Sequence, residues 1–287
     1  MRTILFCFLC LFVFSCKEKY VSPYVSNIDG YLVVEGNINN GKDSTVIKLS
    51  RSTRLDNDVV KMESGASVKL EGDDKMSYIL NEIRPGFYHI GQLSLSEAKK
   101  YRLSIVTKSG KKYFSEFVPV KDNPAIDSVQ WKVEKSGVQL YINTHDDLNK
   151  TKYYHWEFDE TWEFHSTYKS FLQINESLIQ GKKVYTLDYR NLGYYSFDSS
   201  IYYCWRTEPS KNILIGTSIN LSNDVISLPF HFIPNDSWKL GVRYSINVKQ
   251  YSLSKSAYDY LLKMKKNTES TGSIFDAQPS ELKGNFY

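Results

Sequence analysis

Three side chains that could bind a metal or transfer protons lie two residues apart, at His155, Glu157 and Asp159. In a β-strand every second side chain projects from the same face, at a spacing of about 6.6–6.8 Å. Because zinc lies about 2.0–2.2 Å from its ligands, two adjacent positions could share one ion, and a third ligand would have to come from another strand. A polar face in contact with water explains the same pattern without any function, and we favour it. We therefore predict no metal and no cofactor at these residues.

Motifs that would indicate an enzyme are missing from the sequence. It has five histidines and contains no H-E-x-x-H, no G-x-S-x-G and no phosphate-binding loop. Cys204 would need a histidine partner to act as a nucleophile, and none is near it in sequence. We expect Cys204 to be a buried thiol that packs as a small apolar side chain. The prediction is a protein without catalytic residues, which is not an enzyme.

The N-terminus carries a cysteine with a different chemistry. Residues 4–14 are all apolar, a run shorter than the roughly 20 residues that a membrane-spanning helix needs and of the size found in signal peptides. The run ends in Val13-Phe14-Ser15-Cys16, which resembles the bacterial lipobox. We expect residues 1–15 to be a lipoprotein signal peptide, Cys16 to be the lipid attachment site, and residues 16–27 to be a tether. A plain cleaved signal followed by a chance cysteine is the alternative.

Charge and cysteine content exclude two classes of protein. The chain has 36 basic and 32 acidic residues, and removal of the signal peptide takes away one basic residue, Arg2, which leaves a net charge of about +3. With basic and acidic residues so nearly balanced, we expect no basic surface for binding nucleic acid. Of the four cysteines, Cys7 and Cys10 fall in the signal peptide and Cys16 carries lipid, so Cys204 is left alone and no disulfide framework is expected.

The rest of the chain has the pattern of an all-β protein. Short runs of alternating apolar and polar residues are separated by turn residues, as in sandwiches and barrels. Residues 45–50 place Ile47 and Leu49 on one face, and residues 66–71 do the same with Val68 and Leu70. We predict two immunoglobulin-like or fibronectin-like β-sandwich domains, one over residues 28–121 and the other over residues 125–287.

The clearest strand is predicted over residues 153–165. Apolar side chains occupy the even positions, Tyr154, Trp156, Phe158, Trp162 and Phe164, and polar ones the odd positions, His155, Glu157, Asp159, Glu163 and His165. Only Glu160 breaks this alternation. The pattern indicates a strand that is buried on one face.

Two further segments complete the second predicted domain. Residues 170–200 are rich in Tyr, Ser, Asn and Gly and are expected to form an irregular excursion with short strands. Its aromatic residues and those just after it are candidates for a partner or ligand surface: Tyr185, Tyr189, Tyr194, Tyr195, Phe197, Tyr202 and Tyr203. Residues 254–266 have the spacing of a C-terminal amphipathic helix, which Ser252 or Ser254 could cap.

Several stretches also carry a family resemblance. They are YLVVEGNINNG from Tyr31, IDSVQW from Ile126, YYHWEFDETWEF from Tyr153, YYCW from Tyr202 and, most densely, residues 244–285. The chain resembles the Bacteroidota lipoproteins that are grouped as domain of unknown function 4249. The resemblance implies an outer-membrane lipoprotein with an immunoglobulin-like N-terminal part, commonly encoded beside TonB-dependent receptors. No activity is established for the family, so only the lipidated Cys16 is carried over. Relatives usually continue beyond the position of Tyr287 into at least one more strand.

Together these observations lead to an expected function. We expect a non-enzymatic outer-membrane lipoprotein that is an accessory or ligand-binding subunit of a TonB-dependent transporter, on a membrane face that the sequence leaves open. A surface adhesin or structural module without a transport partner is the main alternative. An enzyme that processes carbohydrate or peptide is a weaker one, and it would need Glu157 or Asp159 for activity.

Overall fold

The protein is described from a computed structural model, which covers residues 30–53, 59–190, 199–269, 282 and 284–287. The predicted signal peptide and the tether with Cys16 lie outside these residues. The described part of the chain is predominantly β-structure with one α-helix, as the all-β pattern predicted. Within the same ranges, no helix has the length and apolar character that crossing a membrane requires.

The chain forms two compact units. The first contains the described residues up to Val120 together with Asn285–Tyr287, and the second runs from Lys121 to Gly284. The second predicted domain ended at residue 287, whereas the last three residues belong to the first unit. There, Tyr287 and Phe114 exchange backbone hydrogen bonds of 2.9 and 3.1 Å.

The first unit is a curled antiparallel sheet of nine strands. The strands are β1 (Leu32–Glu35), β2 (Thr45–Arg51), β3 (Lys61–Met62), β4 (Ser67–Gly72), β5 (Ser77–Arg84), β6 (Phe87–Ile90), β7 (Lys100–Val106), β8 (Lys112–Phe114) and β9 (Val118–Pro119). They are ordered β1-β2-β6-β5-β4-β7-β8, with β3 beside β2 and β9 beside β7. The apolar side chains predicted to face inward, Ile47, Leu49, Val68 and Leu70, all lie in the core of this unit.

The second unit contains two sheets that share one core, a hairpin and the helix. Its elements are β10 (Ile126–Glu134), β11 (Gly137–His145), β12 (Tyr153–His165), β13 (Leu172–Ile179), β14 (Lys182–Tyr189), β15 (Tyr203–Pro209), β16 (Leu214–Thr217), β17 (Val225–Pro234), β18 (Arg243–Ser252) and α1 (Lys255–Glu269). Strands β10-β11-β17 form one sheet, and β12 joins β15, β16 and β18 in the other. Side chains from both sheets, such as Ile142 and Trp156, meet in the core.

Strand β12 has the predicted bounds and, for most of its length, the predicted alternation. Tyr154, Trp156, Phe158 and Trp162 are buried, whereas Phe164 is only partly buried. The expected break at Glu160 does not occur, because Glu160 points inward like the other even residues and is also buried. A charged side chain therefore belongs to the inner face of the sheet.

Two elements after β12 differ from the prediction. The stretch 170–200, expected to be an irregular excursion with short strands, contains two paired strands of eight residues each, β13 and β14. Helix α1 continues to Glu269, three residues beyond the predicted end at residue 266. Of the two serines proposed as its cap, Ser254 fills this role, since its Oγ accepts a hydrogen bond of 3.1 Å from the backbone N–H of Ala257.

Candidate functional site

The candidate site occupies the C-terminal half of β12. This strand pairs with β18 on one side, and on the other with β16 near its start and with β15 from Asp159 to His165. Because successive side chains alternate, its even residues face the core and its odd residues face away from it. Each of the two faces carries a cluster of polar and aromatic groups.

The inner cluster is built around the carboxylate of Glu160, a residue only 4% exposed. Its Oε1 lies 2.6 Å from Nζ of Lys239, in the 3-10 turn Trp238–Leu240. Its Oε2 lies 3.1 Å from Nε2 of His231 on β17 and accepts a hydrogen bond of 3.1 Å from the hydroxyl of Tyr244 on β18. One carboxylate thus connects β12 to three other elements.

The protonation states in this cluster follow from burial and charge. Burial alone would raise the pKa of Glu160, but the bond from Lys239, the charge of His231 and the bond from Tyr244 outweigh it and lower that pKa below its usual value. The pKa of Tyr244 is raised, mainly by burial and secondly by the negative charge of Glu160. Glu160 is therefore an ionised acceptor and Tyr244 a protonated donor at neutral pH.

Aromatic rings contact two of the partners of Glu160. The Nζ of Lys239 lies 4.7 Å from the ring centroid of Trp162, within the range of a cation–π contact. The His231 ring lies 4.8 Å from the ring of Phe158. The cluster has the character of a structural network, since each of its polar groups is engaged with another and its central carboxylate is buried.

The outer cluster forms an aromatic surface on the opposite face of the same strands. Trp205 of β15 lies opposite Glu163 of β12, Tyr203 lies opposite His165, and Arg243 of β18 lies opposite Glu163 on its other side. The Trp205 side chain is 53% exposed and that of Tyr203 is 45% exposed. We call these five residues the Trp205 surface.

Polar contacts hold the Trp205 surface together. The carboxylate of buried Glu163 lies 3.1 Å from Nε2 of His165 and 3.8 Å from Nε of Arg243. The Arg243 guanidinium lies 5.7 Å from the ring centroid of Trp205, and the His165 ring lies 4.9 Å from that of Tyr203. Chemically, the surface offers flat apolar rings beside an arginine and a carboxylate, which suits binding.

Comparison with known proteins assigns a family. Residues 18–287 match the family model described as a domain of unknown function, DUF4249. The chain belongs to the DUF4249 family. No curated protein matches it.

The polar face first considered as a metal site in this DUF4249 protein is engaged with β18. The His155 ring stacks on Tyr251 at 5.8 Å, Glu157 accepts a hydrogen bond of 3.3 Å from the Tyr251 hydroxyl, and Asp159 binds Nζ of Lys249 at 3.0 Å. Burial lowers the pKa of His155 and so favours the neutral ring. The described residues include no group of three or more His, Cys, Asp or Glu placed to hold a metal ion.

The remaining candidates fall into different parts of the DUF4249 chain. Cys204 is only partly buried, not fully as expected, because β15 lies at the edge of its sheet. Tyr203 lies on the Trp205 surface, and Tyr185 on the hairpin β13–β14; Tyr194, Tyr195 and Phe197 lie outside the described residues. Sequence reasoning missed Trp205, although it shares a strand face with Tyr203 two residues before it.

Proposed function

We propose that this DUF4249 protein is an outer-membrane lipoprotein, anchored through lipid on Cys16, that serves as a non-enzymatic accessory or ligand-binding subunit of a TonB-dependent transporter. The lipobox-like sequence Val13-Phe14-Ser15-Cys16 supports the anchor. The resemblance of the chain to lipoproteins encoded beside TonB-dependent receptors supports the partner.

The proposal includes an architecture of two immunoglobulin-like or fibronectin-like β-sandwich domains. Antiparallel pairing of all the described strands supports it. In the second unit, the shared core of two sheets is a feature of sandwiches in general. Such a domain would act as a rigid support for a binding surface.

The Trp205 surface is the observation that carries the proposed role. Tryptophan, tyrosine and arginine are the residues most enriched among those that dominate binding energy, and Trp205, Tyr203 and Arg243 lie together here. Their strands are paired in one sheet, and the Glu160 cluster ties β12 to β17 and β18. Such a surface is held in place before a partner arrives, which reduces the entropy lost on binding.

Geometry also favours binding over catalysis. Glu163 is buried, and His165 and Arg243 lie next to its carboxylate. Glu160 is bound by three partners and is only 4% exposed. A general acid or base needs a free position from which to reach a substrate proton, and neither glutamate offers one.

A surface adhesin or structural module is the second candidate. Exposed tryptophan and tyrosine side chains suit contact with host or matrix material as well as contact with a receptor. The two candidates differ in the partner, since only the first requires a transporter.

The test is affinity capture of the full-length, C-terminally tagged protein from detergent-solubilised outer membranes, followed by mass spectrometry. We expect a TonB-dependent receptor in stoichiometric amount with the natural protein, and at least a fivefold loss with Trp205→Ala. The matched control is Trp131→Ala, which removes an equally large ring that is 71% exposed on β10. It should leave the capture unchanged.

Each result has a distinct meaning. Absence of a receptor from protein that is still membrane-bound would reject the transporter role and favour the adhesin. Capture that is equal for Trp205→Ala and the natural protein would reject the Trp205 surface as the contact while leaving the transporter role standing.

A further inference from the structure

The hairpin β13–β14 is the least supported part of the second unit. Its two strands pair with each other over eight residue pairs, and among the described strands neither pairs with any other. They are joined by Gln180 and Gly181, whose φ angles of 51° and 75° are those of a tight hairpin turn. An isolated two-stranded hairpin is at best marginally stable in water. Some additional contact is therefore expected to hold it.

The register gives this hairpin two unlike faces. One face carries Leu172, Ile174, Leu178, Tyr185 and Leu187, which we call the apolar hairpin face. The other carries mostly polar side chains, with two apolar ones, Ile179 and Val184, near the turn; its polar residues are Gln173, Asn175, Ser177, Lys182, Thr186 and Asp188. The five side chains of the apolar hairpin face are between 41% and 71% exposed. A face of this composition is usually buried against another layer.

We propose that a second copy of this chain covers the apolar hairpin face, so that two hairpins pack face to face around a two-fold axis. The charges on the face support an identical partner. It carries Glu176 and Lys183, which pair with each other at 2.6 Å, so its net charge is zero. Two such faces meet without net charge repulsion, and a two-fold axis places the same patch of each copy face to face.

The size of the face supports the same conclusion. Its five exposed side chains offer on the order of 600 Å² per copy, against about 800 Å² per partner in a standard stable interface. This area predicts a dimer at the weak end of the stable range. If both copies are lipid-anchored in one membrane, their confinement raises the effective concentration and favours the pair.

A bilayer is a less suitable cover. The Glu176–Lys183 pair lies within the apolar hairpin face, and Lys182 and Lys183 follow the turn at its tip. Burial of such charges in hydrocarbon is unfavourable. Against a second copy the pair meets an identical Glu176–Lys183 pair, so that each charge keeps a partner of opposite sign.

The test uses the full-length lipoprotein in cells, with Cys204→Ser removing the native free thiol. Ile174→Cys and Asn175→Cys then place one thiol each on opposite faces of the same strand. A short, membrane-permeant bismaleimide should link Ile174→Cys into a product of twice the chain mass, with at least tenfold lower yield for Asn175→Cys. Leu187→Cys and Thr186→Cys repeat the comparison on β14, so the result does not depend on one variant being folded.

Three outcomes would overturn the proposal. The first is no dimer product from either Ile174→Cys or Leu187→Cys while both proteins reach the membrane. The second is equal yield from the two faces, which would indicate random collision. The third is a product whose mass shows a different protein as the partner. None of these three outcomes would change the result expected from the receptor capture, so the two proposals can fail independently.

Discussion

Glu160 has more bonded partners than any other acidic side chain of the candidate site, and each lies on a different element. Lys239, His231 and Tyr244 all contact its two oxygens. A buried ion pair contributes little net stability when it is compared with apolar residues, but the loss of one member leaves the other charge buried and uncompensated. Replacement of one member of the network is therefore expected to lower the stability of the fold more than replacement of the whole network by apolar residues.

Replacement of Glu160 by glutamine is expected to lower the free energy of unfolding by about 3 kcal/mol, because the partly buried Lys239 loses its nearer carboxylate, at 2.6 Å, and keeps only that of Glu208, at 3.8 Å. Glu157→Gln is the matched control on the same strand. Glu157 faces outward and has one bond, of 3.3 Å, from Tyr251, so its replacement should change the same quantity by less than about 1 kcal/mol. Urea unfolding measures both, and equal effects would show that the Glu160 network does not stabilise the fold.

Two histidines should respond to pH in opposite directions. Burial lowers the pKa of His155 in the folded chain, so below about pH 6.5 the unfolded chain binds more protons and stability falls with acidification. The hydrogen bond and charge of Asp127 raise the pKa of His145, so its contribution to stability is complete below about pH 6.5 and is lost as pH rises through the raised value.

Unfolding curves between about pH 5 and pH 8 test this pair of effects. His155→Gln should lose less stability on acidification than the natural protein, and His145→Gln should lose more. If the free energy of unfolding changed with pH in both variants as it does in the natural protein, the pKa shifts assigned to His155 and His145 would be contradicted.

The partners of Glu160 also show where sequence reasoning ends for single residues. The polarity of Glu160 was visible, and it was read as a break in the alternation. His231, Lys239 and Tyr244 lie 71, 79 and 84 residues further along the chain. No spacing in the sequence marks pairs so distant, so a buried and satisfied charge could not be distinguished from an exposed one.

At the scale of elements, β12 depends on close packing with its neighbour β16. Trp156 is fully buried, and its ring lies across Gly216. A Cβ atom at Gly216 would lie 2.8 and 2.9 Å from two ring carbons of Trp156. Glycine is therefore required at this position because a Cβ atom has no room there, and not because of the backbone conformation.

Gly216→Ala should lower the free energy of unfolding by about 2 kcal/mol, as overpacking of a core does. In a Trp156→Phe background, which removes those two ring carbons, the same change should have an effect of less than about 0.5 kcal/mol. Gly91→Ala is the control, because a Cβ atom there meets nothing within 4 Å. A double-mutant cycle without coupling would show that the ring and the glycine do not contact in solution.

Elements differ in how far the sequence predicted them. The bounds of β12 were predicted because one face of a thirteen-residue strand is buried and the period of two persists along it. For the hairpin β13–β14 the sequence predicted only short strands in an irregular excursion, and neither their length of eight residues nor their pairing. Its apolar positions alternate, but Gln180-Gly181 lacks the Asn-Gly signature that marks the commonest hairpin turns, and the surrounding polar residues resemble a loop.

At the scale of the whole molecule, the pairing of distant segments could not be predicted. The sequence indicated a change of character near residue 121, and the two compact units divide at Val120. It did not indicate that Tyr287 would pair with Phe114, or that β12 would join β15, β16 and β18. Alternation specifies which face of a strand is buried, but not which strand lies beside it.

The proposed lipid anchor on Cys16 would fix the location of the whole molecule, and Cys16→Ser tests it. A serine hydroxyl is a far weaker nucleophile than a thiolate, so the variant should escape acylation and accumulate as the uncut precursor or in the soluble fraction. Cell fractionation with intact-mass measurement distinguishes these products from mature lipidated protein. Cys204→Ser, the matched control, should keep the signal cleavage, the added lipid mass and the membrane location. If Cys16→Ser reached the membrane at the same mature size and in the same amount as the natural protein, something other than lipid on Cys16 would hold the chain there.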